Sequence, residues 1–534
     1  METLSSAYLY QHLKNHIPGI LSQLDRDADS PTFGSFDRNY WHYKIRDFSS
    51  MILQQGMLIL QAIKNYDNPD NPWFENHNVD LWQEGAVKFW CKEQLKNGSF
   101  NEYYPFEAGY PPTAFSLYAI GLIMREYEKE PCDKIKTHIQ KAVKWLLDHP
   151  EKEALNQEAA GLAGLVLASK VPGVSVNPKA LEDRLKWFYA QQTDEGWFPE
   201  YGGPDMGYLT VTIDCLWDIY ETSRDKRALT AIDKAVRFIA DMVSVSGETP
   251  VMINSRNTDY LVPYGITRYA EKNPVAASLL ETMLEGMDNA DHFIHRTDDR
   301  YSCHYVGQSF FRTLLHLDKV TEERAEPAFS TGLNKNFEEA GISVVHIPEK
   351  TSLYIYSRKG GIVNVFDKKG ITHTDFGWRQ KAGKEKFAVT HWLDEDYKLA
   401  VGDNEWSITG NMTAHGWMKS SPVRHMGLRV LSKTFGNRLI PFLKKLMIFG
   451  NPKTGIQFVR SISFNGSDTI FIEDQFSGND FNPEFLVPAP HYSLRHVASA
   501  GLFVPEERLE LPEYNSKKQD PEGKNYTFVR EIKL

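Results

Sequence analysis

Apolar side chains recur at three- and four-residue steps along the first three fifths of the chain and switch to alternation after that, so helices precede strands. Leu9, Leu13, Ile17 and Leu21 share one face of a helix expected over 5–27. A second helix is expected after the Pro31/Gly34 loop, with Ile45, Phe48 and Ile52 aligned. The same period runs through 79–90, 112–127, 134–147 (Ile135, Ile139, Val143, Leu146) and 229–243, and continues to about Leu317. Residues 151–170 form a helix rich in Ala and Gly, a composition that lets helices approach closely, as at the centre of a ring. About ten to twelve helices are predicted before position 320. Beyond Gly341 the period falls to two, as in 354–357, 361–366, 387–392, 397–401 and 457–464, where Phe458, Ile462 and Phe464 share a face. The expectation is an α+β multidomain chain: an α/α toroid over 1–320, a linker over 321–341 and an antiparallel β-sandwich over 342–534. Residues 431–450 combine basic and apolar side chains, with Pro441 between them. A strand pair or split core segment is expected there, and contact with a membrane surface or partner is the other reading.

One stretch carries more chemistry than a connection between helices needs. WFYAQQTDEGWFPEYGGPDMGYLTVTID, from Trp187 to Asp214, reads as a helix end, an aromatic loop and a helix start. It repeats an upstream segment at a constant offset of 98 positions, pairing Gln94 with Gln192, Gly98 with Gly196, Phe100 with Phe198, Glu102 with Glu200, Tyr103 with Tyr201 and Tyr110 with Tyr208. A repeated helix, loop and helix means a helical array with functional loops gathered at one end. Three further loops carry similar chemistry. Arg38, Trp41 and Lys44 gather at the mouth of one near the N-terminus; Asn254, Arg256 and Tyr260 lie in 252–270; His304 lies in the 295–305 cluster. Asn156 and Gln157 open the Ala-rich helix, where an amide either caps the helix or faces a cleft.

Charge narrows the partner. The formal net charge is −10, which disfavours nucleic acid or an acidic membrane as the main partner and asks an acidic ligand for a locally basic cleft. Aromatic residues make up 13% of the chain and crowd the loops, where their faces suit sugar rings. Four cysteines without CxxC spacing suggest neither a disulfide framework nor a zinc site, and no cofactor or metal is implied. The N-terminus lacks a basic segment followed by an apolar block, and no apolar run approaches a membrane span. A cytoplasmic location without stable membrane insertion is therefore expected.

The segment EGWFPEYGGPDMGYLT resembles the heparinase II/III-like polysaccharide lyases, in which a Gly, aromatic and acidic loop leads into a helix bearing the catalytic Tyr. The resemblance implies that role for Tyr208. It implies carboxylate neutralisation by Asn156 in NQEAAGLAGL, and a sandwich histidine at His373 in THTDFGW, where this chain has a single His. The implied substrate is a uronate-containing acidic polysaccharide or oligosaccharide cleaved by β-elimination.

That chemistry sets clear demands. The C5 proton is weakly acidic until the neighbouring carboxylate is neutralised, here by Asn156 assisted by Gln157 or Arg256. A base must take the proton and an acid must protonate the leaving oxygen. A phenol with an ordinary pKa of about 10 is the better acid, so Tyr208 is assigned as acid, with base as a second role, and His373 as base or charge stabiliser. Glu200 and Trp197, with the three loop clusters above, are expected to bind substrate. The rival readings are a glycosidase using Glu102 with Glu200 or Asp194 with Asp205, and a non-catalytic glycan-binding protein.

Overall fold

The computed structural model describes residues 4–127, 130–250, 253, 258, 260–384, 386–416, 419–440, 443, 452–490, 505–519 and 525–534. Its helical half comprises α1 (Ser6–Leu13), α2 (Ile17–Gln23), α3 (Arg38–Trp41), α4 (Gly56–Asn65), α5 (His77–Glu93), α6 (Tyr110–Glu126), α7 (Asp133–Asp148), α8 (Leu155–Ala168) and α9 (Pro178–Tyr189). It continues with α10 (Met206–Ser223), α11 (Lys226–Met242), α12 (Tyr264–Ala270), α13 (Pro274–Glu285), α14 (Phe293–Arg296), α15 (Asp299–Ser302), α16 (Tyr305–Thr313) and α17 (Ala328–Thr331). Neighbour follows neighbour around a closed ring: α4 packs on α6, α6 on α8, α8 on α10, α10 on α12, α12 on α16, and α16 back on α4. Helices α5, α7, α9, α11 and α13 lie outside this ring, each against an inner helix. Inner and outer helices alternate along the chain, so the N-termini of the inner helices gather at one end.

Burial explains why the inner helices are so apolar. Thirteen of the residues of α8 are buried, against two in α9 outside it. Its glycines are needed for close approach. A Cβ on Gly161 would lie 2.2 Å from Tyr110 Oη, and one on Gly121 of α6 2.6 Å from Leu167 Cβ. The far end of the ring is closed by ions: Asp218 accepts from Arg312 at 2.7 Å and Arg125 at 3.3 Å. Burial alone would raise the Asp218 pKa, but the two guanidiniums outweigh it and hold the carboxylate below its usual range.

The 98-residue repeat is built into the ring. Gln94 Nε2 donates to Gly98 O and His138 O, and Gln192 Nε2 donates to Gly196 O and Ala231 O, all at 2.9–3.0 Å. Gly98 and Gly196 both have positive φ, and a Cβ on either would strike a carbonyl of the next outer helix, Lys141 O or Lys234 O.

The second half is two sheets. β1 (Leu333–Phe337), β2 (Ile342–Ile347), β3 (Thr351–Tyr356), β4 (Ile362–Asp367) and β5 (Gly370–Asp375) form an antiparallel meander in that order. The outer sheet holds β6 (Trp378–Lys381), β7 (Lys386–Val389), β8 (Lys398–Val401), β9 (Glu405–Gly416), β10 (Lys453–Phe464), β11 (Thr469–Ser477), β12 (Leu486–Pro488), β13 (Ser516–Gln519) and β14 (Tyr526–Lys533). Its order is β12-β6-β7-β9-β10-β11-β14-β13, with β8 on β9. The five-stranded sheet is covered on both faces. Tyr354, Ile362 and Phe366 join the helical core, while Leu353, Val363 and Val365 join the core between the sheets. Continuous burial along β2–β4 follows from this, whereas β10 alternates because its outer face meets water. Across the junction, Tyr354 Oη donates to Met242 O at 2.8 Å.

The sequence reading differs from the structure at several places. The helix expected through Ile45, Phe48 and Ile52 does not form, and Ile45 is exposed. Asp37 instead draws in Arg46 and the Ser50 amide, and Arg46 reaches on to Glu102 O, holding the segment irregular until 51. β1 lies inside the segment expected as linker. In place of a strand pair or core segment from 431, helix α18 (Pro422–Phe435) runs over the surface; residues 441–442 and 444–451 lie outside the described set. Among the described residues no helix is long and apolar enough to cross a membrane.

Candidate active site

The site forms where α8, α10 and α16 begin. The loop 199–203 runs antiparallel to the residues before α8: Leu155 N donates to Pro199 O, Tyr201 N to Glu153 O at 2.7 Å, and Glu200 N to Gly203 O at 2.8 Å. This delivers Glu200, buried, to the helix start, where its Oε1 accepts the Asn156 amide N–H at 2.5 Å. Glu200 thus caps α8 from the neighbouring repeat, in place of the uncapping Ala154. Neither amide is consumed in capping. Asn156 Oδ1 and Gln157 Oε1 are buried without a hydrogen-bond partner, and Gln157 Nε2 reaches Tyr201 Oη at 3.5 Å. A buried amide oxygen left unpaired costs about 1–3 kcal/mol, a cost typical of functional positions.

Asp205 caps α10 by accepting the Tyr208 amide at 3.0 Å, and Thr258 Oγ1 donates to the same carboxylate. Tyr208 occupies the same repeat position as Tyr110, but the two phenols differ. Tyr110 is locked: its Oη donates to Glu158 at 2.6 Å and accepts from Arg184 at 3.0 Å. Tyr208 is only half-buried, with its ring edge-on to Tyr260 at 6.4 Å and to Tyr305 at 6.2 Å. Tyr260 Oη in turn donates to Tyr305 Oη at 3.1 Å.

His304 completes this wall. Its ring lies 5.1 Å from Tyr301 and 5.8 Å from Tyr305, and both nitrogens are buried without a hydrogen-bond partner. Burial, followed by the nearby Arg300 charge, holds its pKa down to about 3, so the imidazole is neutral at physiological pH. Arg300 has a buried Nε without a partner and lies within electrostatic reach of both His304 and Glu102. Opposite, Tyr103 is 64% exposed and in electrostatic reach of Tyr208 and Glu102. Burial first, then the Glu107 carboxylate, pushes Glu102 up. Sequence reasoning did not single out Arg300 as a binding residue, although its place four residues before His304 in a polar aromatic cluster was a usable signal.

The remaining sequence candidates divide. Tyr260 lies in the aromatic wall, whereas Asn254 and Arg256 lie outside the described residues. Trp197 is buried at the domain junction: its Nε1 donates to Glu195, whose carboxylate accepts the Glu339 and Ala340 amides. It binds the sandwich rather than facing the cleft. Trp41 Nε1 is spent on Gln23 O, Arg38 lies over the Tyr43 ring at 5.1 Å, and Lys44 is exposed; this segment forms an outer rim through Arg46 and Glu102.

His373 is not brought to Tyr208. A register shift between Val365 and Phe366 turns it: Ile371, before the shift, packs on the helical core, while His373 pairs with Val365 and so shares that residue's face, toward the outer sheet. There it lines a groove of about 740 Å³ with residues of the C-terminal segment such as Tyr514, Arg530 and Lys533. Asp375, on the same face, is spent in a buried cluster with Arg460 and Arg530. Among the described sandwich residues, Lys359 lies within electrostatic reach of Asp205 at the site. It is buried, and burial pushes its ammonium down to about 7, with Asp205 pulling it back up.

No family model matches the sequence, and no curated protein matches it either. Solved structures do match in fold. The chondroitin AC lyase of Streptomyces coelicolor A3, in complex with chondroitin sulphate, superposes with a TM-score of 0.56 at 8% identity, covering 99% of this chain and 77% of that one. Heparinase III gives a TM-score of 0.45 at 10% identity, covering 90% and 75%. The toroid and sandwich together are thus a polysaccharide-lyase-like fold.

Proposed function

We propose that the chain is a polysaccharide lyase that cleaves a uronate-containing acidic polysaccharide or oligosaccharide by β-elimination. One observation carries the reading: the Asn156 side chain, whose buried Oδ1 has no hydrogen-bond partner and whose NH2 group is the donor a carboxylate needs, lies at the start of α8 beside the loop that leads to the half-buried Tyr208 at the start of the neighbouring inner helix. The fold shared with a chondroitin AC lyase supports it.

The parts divide the reaction as follows. The substrate carboxylate takes the Asn156 and Gln157 amides, with the partial positive charge of the helix N-terminus behind them. Arg300 supplies local positive charge at the site, in a chain of net charge −10. With the carboxylate neutralised, the C5 proton passes to Tyr208 in its tyrosinate form, its bonding pair forms the C4–C5 double bond, and the C4–O bond breaks with its electrons going to the leaving oxygen. Tyr208 protonates that oxygen. The neutral imidazole of His304, which the geometry favours over His373, stabilises charge on the same wall.

The paired-carboxylate alternative is less well supported, because one member of each pair is engaged at a helix start: Glu200 caps α8 and Asp205 caps α10. A panel of uronate polymers tests the proposal. Elimination yields a conjugated double bond that absorbs near the ultraviolet edge; Asn156→Asp, which places a second negative charge against the carboxylate, should abolish it. New reducing ends without that absorbance would replace elimination by hydrolysis.

A further inference from the structure

Helix α18 lies in the connection between the paired strands β9 and β10 of the outer sheet and has little of its surface covered. Ser432 is the buried residue of its fourteen. The side it turns inward touches the helical half: Ser432 Oγ donates to Pro105 O at 2.9 Å, and Arg429 pairs with Asp47 at 2.6 Å. Lys433 lies over the Phe106 ring at 6.0 Å. A stripe turned away from Ser432 carries Val423, Met426 and Val430, spaced three and four apart and 78%, 69% and 65% exposed. Such a stripe on a water-facing helix is unfavourable unless something apolar covers it.

The surrounding charge says what kind of surface that is. From Trp406 to Ser467 the sequence contains no Asp or Glu and nine Lys or Arg, in a chain whose net charge is −10. Lys419, Arg424, Lys433 and Arg438 are exposed on or beside the helix. A second copy of the chain would set basic helix against basic helix, and a soluble polyanion would use the charges while leaving the apolar stripe in water. An anionic lipid surface uses both. We propose that α18 lies in the interface of an anionic membrane, with Val423, Met426 and Val430 at the acyl boundary and the flanking basic residues among the headgroups. A helix of this length offers a contact about 21 Å long. Because α18 also touches Pro105 and Phe106, next to Tyr103, docking would hold the mouth of the cleft close to the bilayer. The docking itself is independent of the reaction proposed above.

Co-sedimentation of the full chain with vesicles tests this directly. Vesicles of equal parts phosphatidylglycerol and phosphatidylcholine should pull the protein down, and pure phosphatidylcholine should not. Met426→Asp with Val430→Asp should cut partitioning about tenfold or more, and Arg424→Glu should cut it about fivefold and sharpen its loss with salt. All three side chains are exposed, and an unchanged melting temperature would confirm that the variants are folded. Protein left in the supernatant with both vesicle types overturns the proposal. So does equal binding to both, or a dimer that the Val430→Asp change splits while vesicle binding stays absent.

Discussion

Tyr110 and Tyr208 stand 98 positions apart at the same place in the repeat, and replacing each by Phe removes the same single oxygen. The outcomes should be opposite. Tyr110 Oη sits between the Glu158 carboxylate at 2.6 Å and Arg184 at 3.0 Å, fully buried, with its pKa raised well above 10 by burial and then by Glu158. A charge-assisted bond of this kind is worth about 1.5–3 kcal/mol. One kcal/mol shifts Tm by roughly 2–4 °C in domains of 150–250 residues and by less in larger ones, so Tyr110→Phe should lower Tm by about 3 °C and leave turnover within about threefold. Tyr208 keeps its ring contacts with Tyr260 and Tyr305 as Phe, so the effect of that change should fall on turnover. Losing a positioned proton donor costs about 10²- to 10⁴-fold, or roughly 3–5 kcal/mol of transition-state stabilisation. Both variants would be melted by calorimetry and assayed on the best uronate polymer by the absorbance of the unsaturated product. Turnover by Tyr208→Phe within tenfold of the parent, or a loss of turnover as deep in Tyr110→Phe, would refute the division of labour.

Three further outcomes follow from the geometry. Lys359 has an ordinary pKa of 10.5 and about 7 in the fold, so between those values the unfolded chain holds the extra proton and stability rises with pH; Lys359→Met should therefore raise the free energy of unfolding most below pH 7, by on the order of a few kcal/mol at the upper bound, with the gain fading toward pH 10 in urea titrations. Gly196→Ala should cost more than about 2 kcal/mol by urea titration, since its Cβ would lie 2.3 Å from Lys234 O, whereas Gly202→Ala, at similar positive φ but in open space, should cost only about 1. His373→Ala should leave elimination within about twofold, and a loss of activity as deep as that of Tyr208→Phe would return the sandwich histidine to the mechanism.

The repeat was the most legible feature because its members are held by local geometry: an amide bonding two carbonyls and a glycine that no Cβ can replace. The positions of Asn156 and Tyr208 at helix starts could be read for the same reason. What escaped the sequence was set by long-range contacts. A one-residue register shift in β5 decides which way His373 faces, and alternation in the sequence does not record such a shift. Trp197 and Glu195 look like loop chemistry until the backbone of 339–340 arrives to use them. The helix expected through Ile45 was overruled by Arg46, whose partners Asp37 and Glu102 come from two different loops.

The five-stranded sheet is the middle layer of three, and this bears on how the molecule can be divided. Phe337, Tyr354 and Phe366 complete the same apolar interior as Phe238 and Met242 of α11. Ending the chain at residue 332 would strip that wall of its cover and leave a greasy, sticky face. The helical ring is thus not a module that can be lifted out and fused elsewhere; the smallest portable unit runs at least to the end of β5.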